Sequence, residues 1–137
     1  MKWDDSEYRD LNEKIIRCFY NVHDTLGPGL SEKAYHRALL IELKKHFKKV
    51  ESEQEFPIYY DKVEVARFIP DIIVEKKTII EIKAVSELNE NHQAQLITQL
   101  RVSEVLIGFL INFANKKLKF MRLDNFFEIE KRNLNIK

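Results

Sequence analysis

Asp71, Glu81 and Lys83 are the residues whose types and spacing could do chemistry. In Ile79-Ile80-Glu81-Ile82-Lys83-Ala84, polar residues alternate with aliphatic ones, and a β-strand sends alternate side chains to opposite faces. Glu81 and Lys83 therefore share one face, while Ile80, Ile82 and Ala84 share the other. Asp71 precedes Glu81 by ten residues. If the strands around them pair about Lys76, position 71 lies opposite position 81, with Cβ atoms about 5 Å apart. Two facing carboxylates repel, which costs stability unless something neutralises them. A hard divalent cation does so: Mg²⁺ takes one or two carboxylates, retained waters and phosphate oxygens, and Mn²⁺ favours the same oxygen donors. Lys83 beside such an ion could hold or activate an attacking water, or neutralise charge on a pentavalent phosphate. The competing bland reading is an exposed sheet face with a weak Glu-Lys ion pair.

Other polar residues extend this set. Glu32 is a third carboxylate for the metal, or simply a favourable charge in the first turn of a helix. Tyr35 lies on the same side of that helix, as a site residue or a core aromatic. His92, Gln95 and Gln99 share a helix face just after the Glu81 strand, as a supporting polar row or a solvated surface. His23, His36 and His46 are remote from His92 in sequence and suggest no metal-ligand spacing. Cys18, the only cysteine, has no cysteine partner or evident base and reads as a semi-buried helix residue. No glycine-rich phosphate loop, nucleophile elbow or zinc-type Cys/His cluster occurs, which removes most competing enzyme classes.

The elements that must position these residues follow from periodicity. A helix is expected over 6–26, with Tyr8, Leu11, Ile15, Phe19, Val22 and Leu26 in one apolar stripe. Asp4, Asp5 and Ser6 are cap candidates at its start, and Gly27-Pro28-Gly29 breaks it. A second helix, capped by Ser31, is expected over 31–48, with Ala34, Ala38 and Ile41, and Tyr35 and Leu39 on adjoining rows, facing the core. Strands are expected over 55–60, 63–68, 71–74 and 78–85, with turns at 61–62 and 75–77. Helix 91–103 follows, then an apolar strand over 105–113 that suits burial on both faces. A last strand is expected over 118–123, and the tail after Asp124 is a short helix or a frayed end. A strand, a crossover helix and another strand imply a parallel pair with a right-handed connection. The expected fold class is α/β (α+β in its mixed sheet): one domain over 1–125, a mixed sheet flanked by helices, with a C-terminal tail over 126–137.

Composition sets bounds on this picture. At 137 residues with 45% hydrophobic content, and only three Gly and three Pro, the chain fits one ordinary core without long linkers. A single cysteine allows no internal disulfide and fits a reducing compartment. The acidic N-terminus lacks the apolar stretch of a signal peptide, and Val105–Ile111 is far shorter than the roughly 20 residues of a membrane span. A soluble, cytoplasmic protein with no membrane partner is expected. The net charge of +1 neither demands nor excludes nucleic acid. Lysines cluster at Lys44/Lys45/Lys48/Lys49, Lys76/Lys77 and Lys116/Lys117/Lys119, as solvated surfaces or as phosphate contacts.

Gly29-Leu30-Ser31-Glu32-Lys33-Ala34-Tyr35, within Leu26–Tyr35, resembles the signature of the GxxExxY protein family, which is similar to the PD-(D/E)XK nucleases. Glu81-Ile82-Lys83-Ala84-Val85, Ala94-Gln95-Leu96 and Gly108–Phe113 resemble it too, in the right order over residues 10 to 125. The resemblance implies a restriction-endonuclease-like αβββαβ core. It makes Glu32, Asp71, Glu81, Lys83 and Gln95 the catalytic set. Asp71, Glu81 and Glu32 are the metal ligands, Lys83 is the catalytic lysine, and Gln95 is a supporting polar residue. Related nucleases of the RecB type carry Gln and Tyr four residues apart; here the pair is Gln95 and Gln99. The expected function is a Mg²⁺- or Mn²⁺-dependent nuclease that hydrolyses phosphodiester bonds of nucleic acid, DNA before RNA. A homodimer or partner protein would help so small a chain grip a long substrate. The alternatives are a non-catalytic module that binds nucleic acid or protein while retaining the site, and an oligomeric scaffold with no ligand.

Overall fold

The computed structural model describes residues 3–132 and Leu134; the remainder of the tail expected over 126–137 lies outside the described residues. A 3₁₀ turn at Ser6–Tyr8 leads into α1 (Arg9–Leu26) and α2 (Glu32–Lys44). Strands β1 (Val50–Glu51), β2 (Phe56–Tyr60), β3 (Val63–Phe68), β4 (Ile72–Val74) and β5 (Thr78–Lys83) come next. Then come α3 (Glu90–Ser103), β6 (Ile107–Asn112), β7 (Lys119–Asp124) and α4 (Phe126–Lys131).

Five strands form one mixed sheet in the order β1-β4-β5-β6-β7. Only β5 and β6 run parallel, and α3 makes the crossover between them, as the alternation of strand and helix patterns requires. The hairpin β2–β3 stands apart as its own two-stranded sheet. Its Phe56 and Phe68 stack at 5.3 Å, and Phe56 packs against the α3 side of the core. Tyr60, Val63 and Val65 are exposed.

Period-two alternation decides which residues meet which helix. Ile72, Val74, Ile80, Ile82, Phe109 and Ile111 face α1 and α2, packing with Ile15, Phe19, Tyr35 and Leu39. Ile73, Ile79 and Leu110 face α3 and pack with Leu96 and Leu100. Helix α3 comes close to the sheet because Gly108 lies beneath Leu96 and Leu100, where a Cβ would meet their side chains at 3.0–3.2 Å. Both glycine-free turns are left-handed, with positive φ at Asp61 and Lys62 and at Glu75 and Lys76. That is the twist a tight hairpin needs.

Several boundaries differ from the sequence reading. Helix α2 ends at Lys44 rather than Lys48, because the Glu75 carboxylate accepts from the backbone N–H groups of Lys48 and Lys49 and draws the chain into β1. The core stripe of α2 is Tyr35, Leu39 and Leu43, and Ile41 is exposed; two residues past Leu39 a helical side chain has turned to the opposite side. Leu26 is also exposed, at the last turn of α1. Strand β5 stops at Lys83 because the Asn112 side chain takes both the N–H and the C=O of Val85. The tail forms the short helix α4, and its Ile129 is buried in the core shared by α1 and α2.

Candidate functional site

The hairpin β4–β5 pairs Ile72 with Ile80, Ile73 with Ile79 and Val74 with Thr78. This register is centred on Lys76 and brings Asp71 opposite Glu81. The two residues clasp each other through reciprocal bonds. The Asp71 N–H donates to Glu81 Oε1 at 3.0 Å, and the Ile82 N–H donates to Asp71 Oδ2 at 2.8 Å. Each carboxyl group thus has a backbone N–H that orients it.

Glu81 is only 8% exposed. Burial, and then the charge of Asp71, push its carboxyl up to about 8, against the weaker pull of the Asp71 N–H and the Lys83 ammonium. Without a cation Glu81 therefore keeps its proton at neutral pH. A divalent ion can take the place of that proton. Oxygen donors on two carboxylates suit Mg²⁺ or Mn²⁺, so the donor set fits such a metal.

Lys83 lies two residues past Glu81 on the same face of β5, half-buried. Its backbone is fixed by the parallel partner Asn112 and by the Phe113 N–H, which donates to the Lys83 carbonyl at 3.0 Å. Asn112 is fully buried. Its Oδ1 accepts from Val85 and Ala114 N–H, and its amide donates to the Val85 carbonyl. An asparagine closing an otherwise apolar strand was the sequence signal for this positioning residue.

The other predicted residues are not gathered at this pair: among the described residues, Asp71, Glu81 and a third carboxylate do not come within 4.8 Å of one another. Glu32 is exposed at the first position of α2, whose start is fixed by the Ser31 cap. One turn on, His36 Nε2 meets the Asp71 carbonyl oxygen at 3.0 Å, so α2 abuts the Asp71 backbone. His36, remote in sequence, is the contact that sequence reasoning missed; its spacing of four from Glu32 was the available signal. Tyr35 is a core aromatic. It stacks on Phe113 at 4.7 Å, its hydroxyl donates to the Gly27 carbonyl at 2.6 Å, and it accepts from the Leu30 N–H, closing the loop between α1 and α2.

His92 is the third residue of α3 and completes the capping box whose N-cap is Asn89. Its Nδ1 accepts from the Asn89 N–H while Asn89 Oδ1 accepts from its own N–H. Gln95 is exposed and, with Gln99, Ile58 and Phe68, lines a groove of about 690 Å³ between α3 and the β2–β3 hairpin. Among the described residues no hydrogen bond joins Gln95 to Asp71, Glu81 or Lys83. Cys18 is buried, and its surroundings are not inert: Glu42 and His46 lie beside it. The antiparallel α1–α2 packing brings them together across the chain.

A family model described as the PD-(D/E)XK nuclease superfamily matches residues 9–123. A solved structure described as "Crystal structure of SSO0001" is similar in fold, with a TM-score of 0.55 and 22% identity over 93% of this chain. The chain spans 66% of that protein's length, just under two thirds. No curated protein matches the chain. No described helix is long and apolar enough to cross a membrane. The chain belongs to the PD-(D/E)XK nuclease superfamily.

Proposed function

From that membership, we propose that the chain is a Mg²⁺- or Mn²⁺-dependent phosphodiesterase of the GxxExxY kind, with DNA its preferred substrate over RNA. The observation that carries this reading is the clasped carboxylate pair. Glu81 is buried against Asp71, a repulsive arrangement that a divalent cation relieves, with a lysine two residues along the same strand face.

In this reading Asp71 and Glu81 would hold the metal, and Glu32 would swing in from the start of α2 to complete the ligand set. The bound cation supplies Lewis-acid polarisation of the phosphate and a more acidic water. Lys83 brings its ammonium to the scissile phosphate, where it positions the attacking water and offsets charge that develops on the phosphoryl oxygens. Asn112 and the Phe113 N–H keep that lysine in place by fixing the end of β5. Gln95 lines the approach along α3 and orients the strand being cut. The exposed lysines at 44, 48, 76, 116 and 117 supply sequence-independent phosphate contacts, and a second copy or a partner protein extends the grip.

The test is cleavage of labelled single-stranded, double-stranded and branched DNA, and of RNA, with Mn²⁺ or Mg²⁺ and with EDTA, beside Asp71→Ala. Metal-dependent cleavage of DNA that is lost with EDTA and in the variant is the expected result. Absence of cleavage on every substrate with metal bound overturns the reading in favour of a non-catalytic binding module.

A further inference from the structure

Away from the carboxylate pair, Cys18 of α1 meets Glu42 and His46 at the far end of α2. One ligand atom from each lies within 4.8 Å of the other two. We propose that Cys18, Glu42 and His46 form a second metal site, selective for a thiophilic divalent cation of the Zn²⁺ class and independent of the Asp71–Glu81 pair.

The fold brings the three together for simple reasons. Gly27-Pro28-Gly29 reverses the chain, so α1 and α2 pack antiparallel, and a residue two turns before the loop meets residues late in α2. Glu42 and His46 are four apart and so lie on one side. Phe47 N–H still bonds back to the Leu43 carbonyl, which keeps the chain turning where His46 sits. Along the axis of α2, its last residue Lys44 lies eight residues beyond His36, which touches Asp71. At 1.5 Å per residue this is about 12 Å, and His46 follows after it, so the two sites are separate.

The donor set is chemically distinct from the first. A thiolate, an imidazole and a carboxylate with one water make a tetrahedral Zn²⁺ shell, whereas Mg²⁺ wants oxygen alone. Tetrahedral bonds of about 2.0–2.3 Å put donors on the order of 3.5 Å apart. The cluster must therefore contract by roughly an ångström, which the exposed His46 ring can supply by rotation. Burial runs from Cys18 inside, through Glu42, to His46 at the surface, giving an entry path with the soft ligand at its base.

Glu42 is already oriented. Its Oε2 accepts from Asn21 Nδ2 at 3.3 Å and meets His46 Nε2 at 3.4 Å. Its Oε1 pairs with Lys45 at 3.2 Å, and this ammonium is the group an incoming cation must displace. A bound ion would clamp α1 to α2 and reinforce the hairpin on which Glu32 and His36 are carried.

The experiment is titration of the chelator-treated full chain with Co²⁺ as spectroscopic probe, followed by Zn²⁺. Expected is a thiolate-to-cobalt charge-transfer band that saturates at one equivalent, is bleached by Zn²⁺, and is unmoved by millimolar Mg²⁺. Cys18→Ser should abolish the band. His46→Ala, at an exposed position that leaves the core intact, should weaken binding at least tenfold, and Lys45→Ala should strengthen it. Asp71→Ala should leave the band unchanged, which separates this site from the nuclease reading. No charge-transfer band in the wild type, or a band whose affinity is unaltered in His46→Ala, overturns the proposal.

Discussion

Replacing Glu81 by Gln should stabilise the metal-free protein while abolishing its response to Mg²⁺ or Mn²⁺. Glu81 is buried beside Asp71, and its carboxyl is raised from the ordinary 4.5 to about 8. A folded-state value raised in this way contributes stability that is fully present below about pH 4.5 and is lost as pH rises through about 8. At about 1.4 kcal/mol per pH unit, the loss reaches about 3 kcal/mol by pH 7. Glutamine keeps an oxygen to accept the Asp71 N–H and cannot ionise in the unfolded chain, where a glutamate is charged at pH 7. Glu81→Gln should therefore melt higher than wild type at pH 7 by roughly 10 °C, taking 3–5 °C per kcal/mol for a chain of this size. The gain should vanish near pH 4.5 and be largest near pH 8. Thermal melts in chelator across that range, followed by circular dichroism, measure it. A variant that melts no higher than wild type at pH 7, or one whose advantage does not change with pH, refutes the argument.

Saturating Mn²⁺ should raise the melting temperature of the wild type by an amount that grows from pH 6 to pH 8, because the cation displaces the Glu81 proton; at a hundredfold excess over Kd the gain is about 2.7 kcal/mol, and titration calorimetry in buffers of different ionisation enthalpy reads the proton released. Asn112→Ala should destabilise by about 2–3 kcal/mol in urea unfolding, since it strands the half-buried N–H and C=O of Val85, and it should lower cleavage by loosening Lys83. Gly108→Ala should cost about 1 kcal/mol, because its methyl meets Leu96 and Leu100 at 3.0–3.2 Å; equal denaturant midpoints would show that these leucines yield freely.

The candidate site was legible where it depended on local periodicity. The alternation through Ile79–Lys83 and the symmetry of the β4–β5 hairpin about Lys76 gave the pairing of Asp71 with Glu81, and the register agrees. The parallel β5–β6 pair followed from its crossover helix. What sequence reading missed came from contacts distant along the chain. Glu75 shortens α2 from 27 residues away, and Asn112 ends β5 from 27 residues away. The β2–β3 hairpin has good strand patterning, and only packing against α3 decides that it leaves the main sheet. Cys18 seemed to lack companions because Glu42 and His46 reach it only once α1 and α2 are packed. Ile41 and Leu26 show the limit of hydrophobicity as a guide: both are apolar, and helix phase or position turns them to solvent.

Lys83→Ala tests the central claim most directly, because it separates metal binding from chemistry. Wild type and variant would be compared for Mn²⁺ occupancy by electron paramagnetic resonance and for cleavage of labelled DNA under single-turnover conditions. The account predicts equal occupancy and unchanged folding, with cleavage in the wild type and none in the variant. Full-rate cleavage by Lys83→Ala, or Mn²⁺-loaded wild type that cuts nothing, would contradict it.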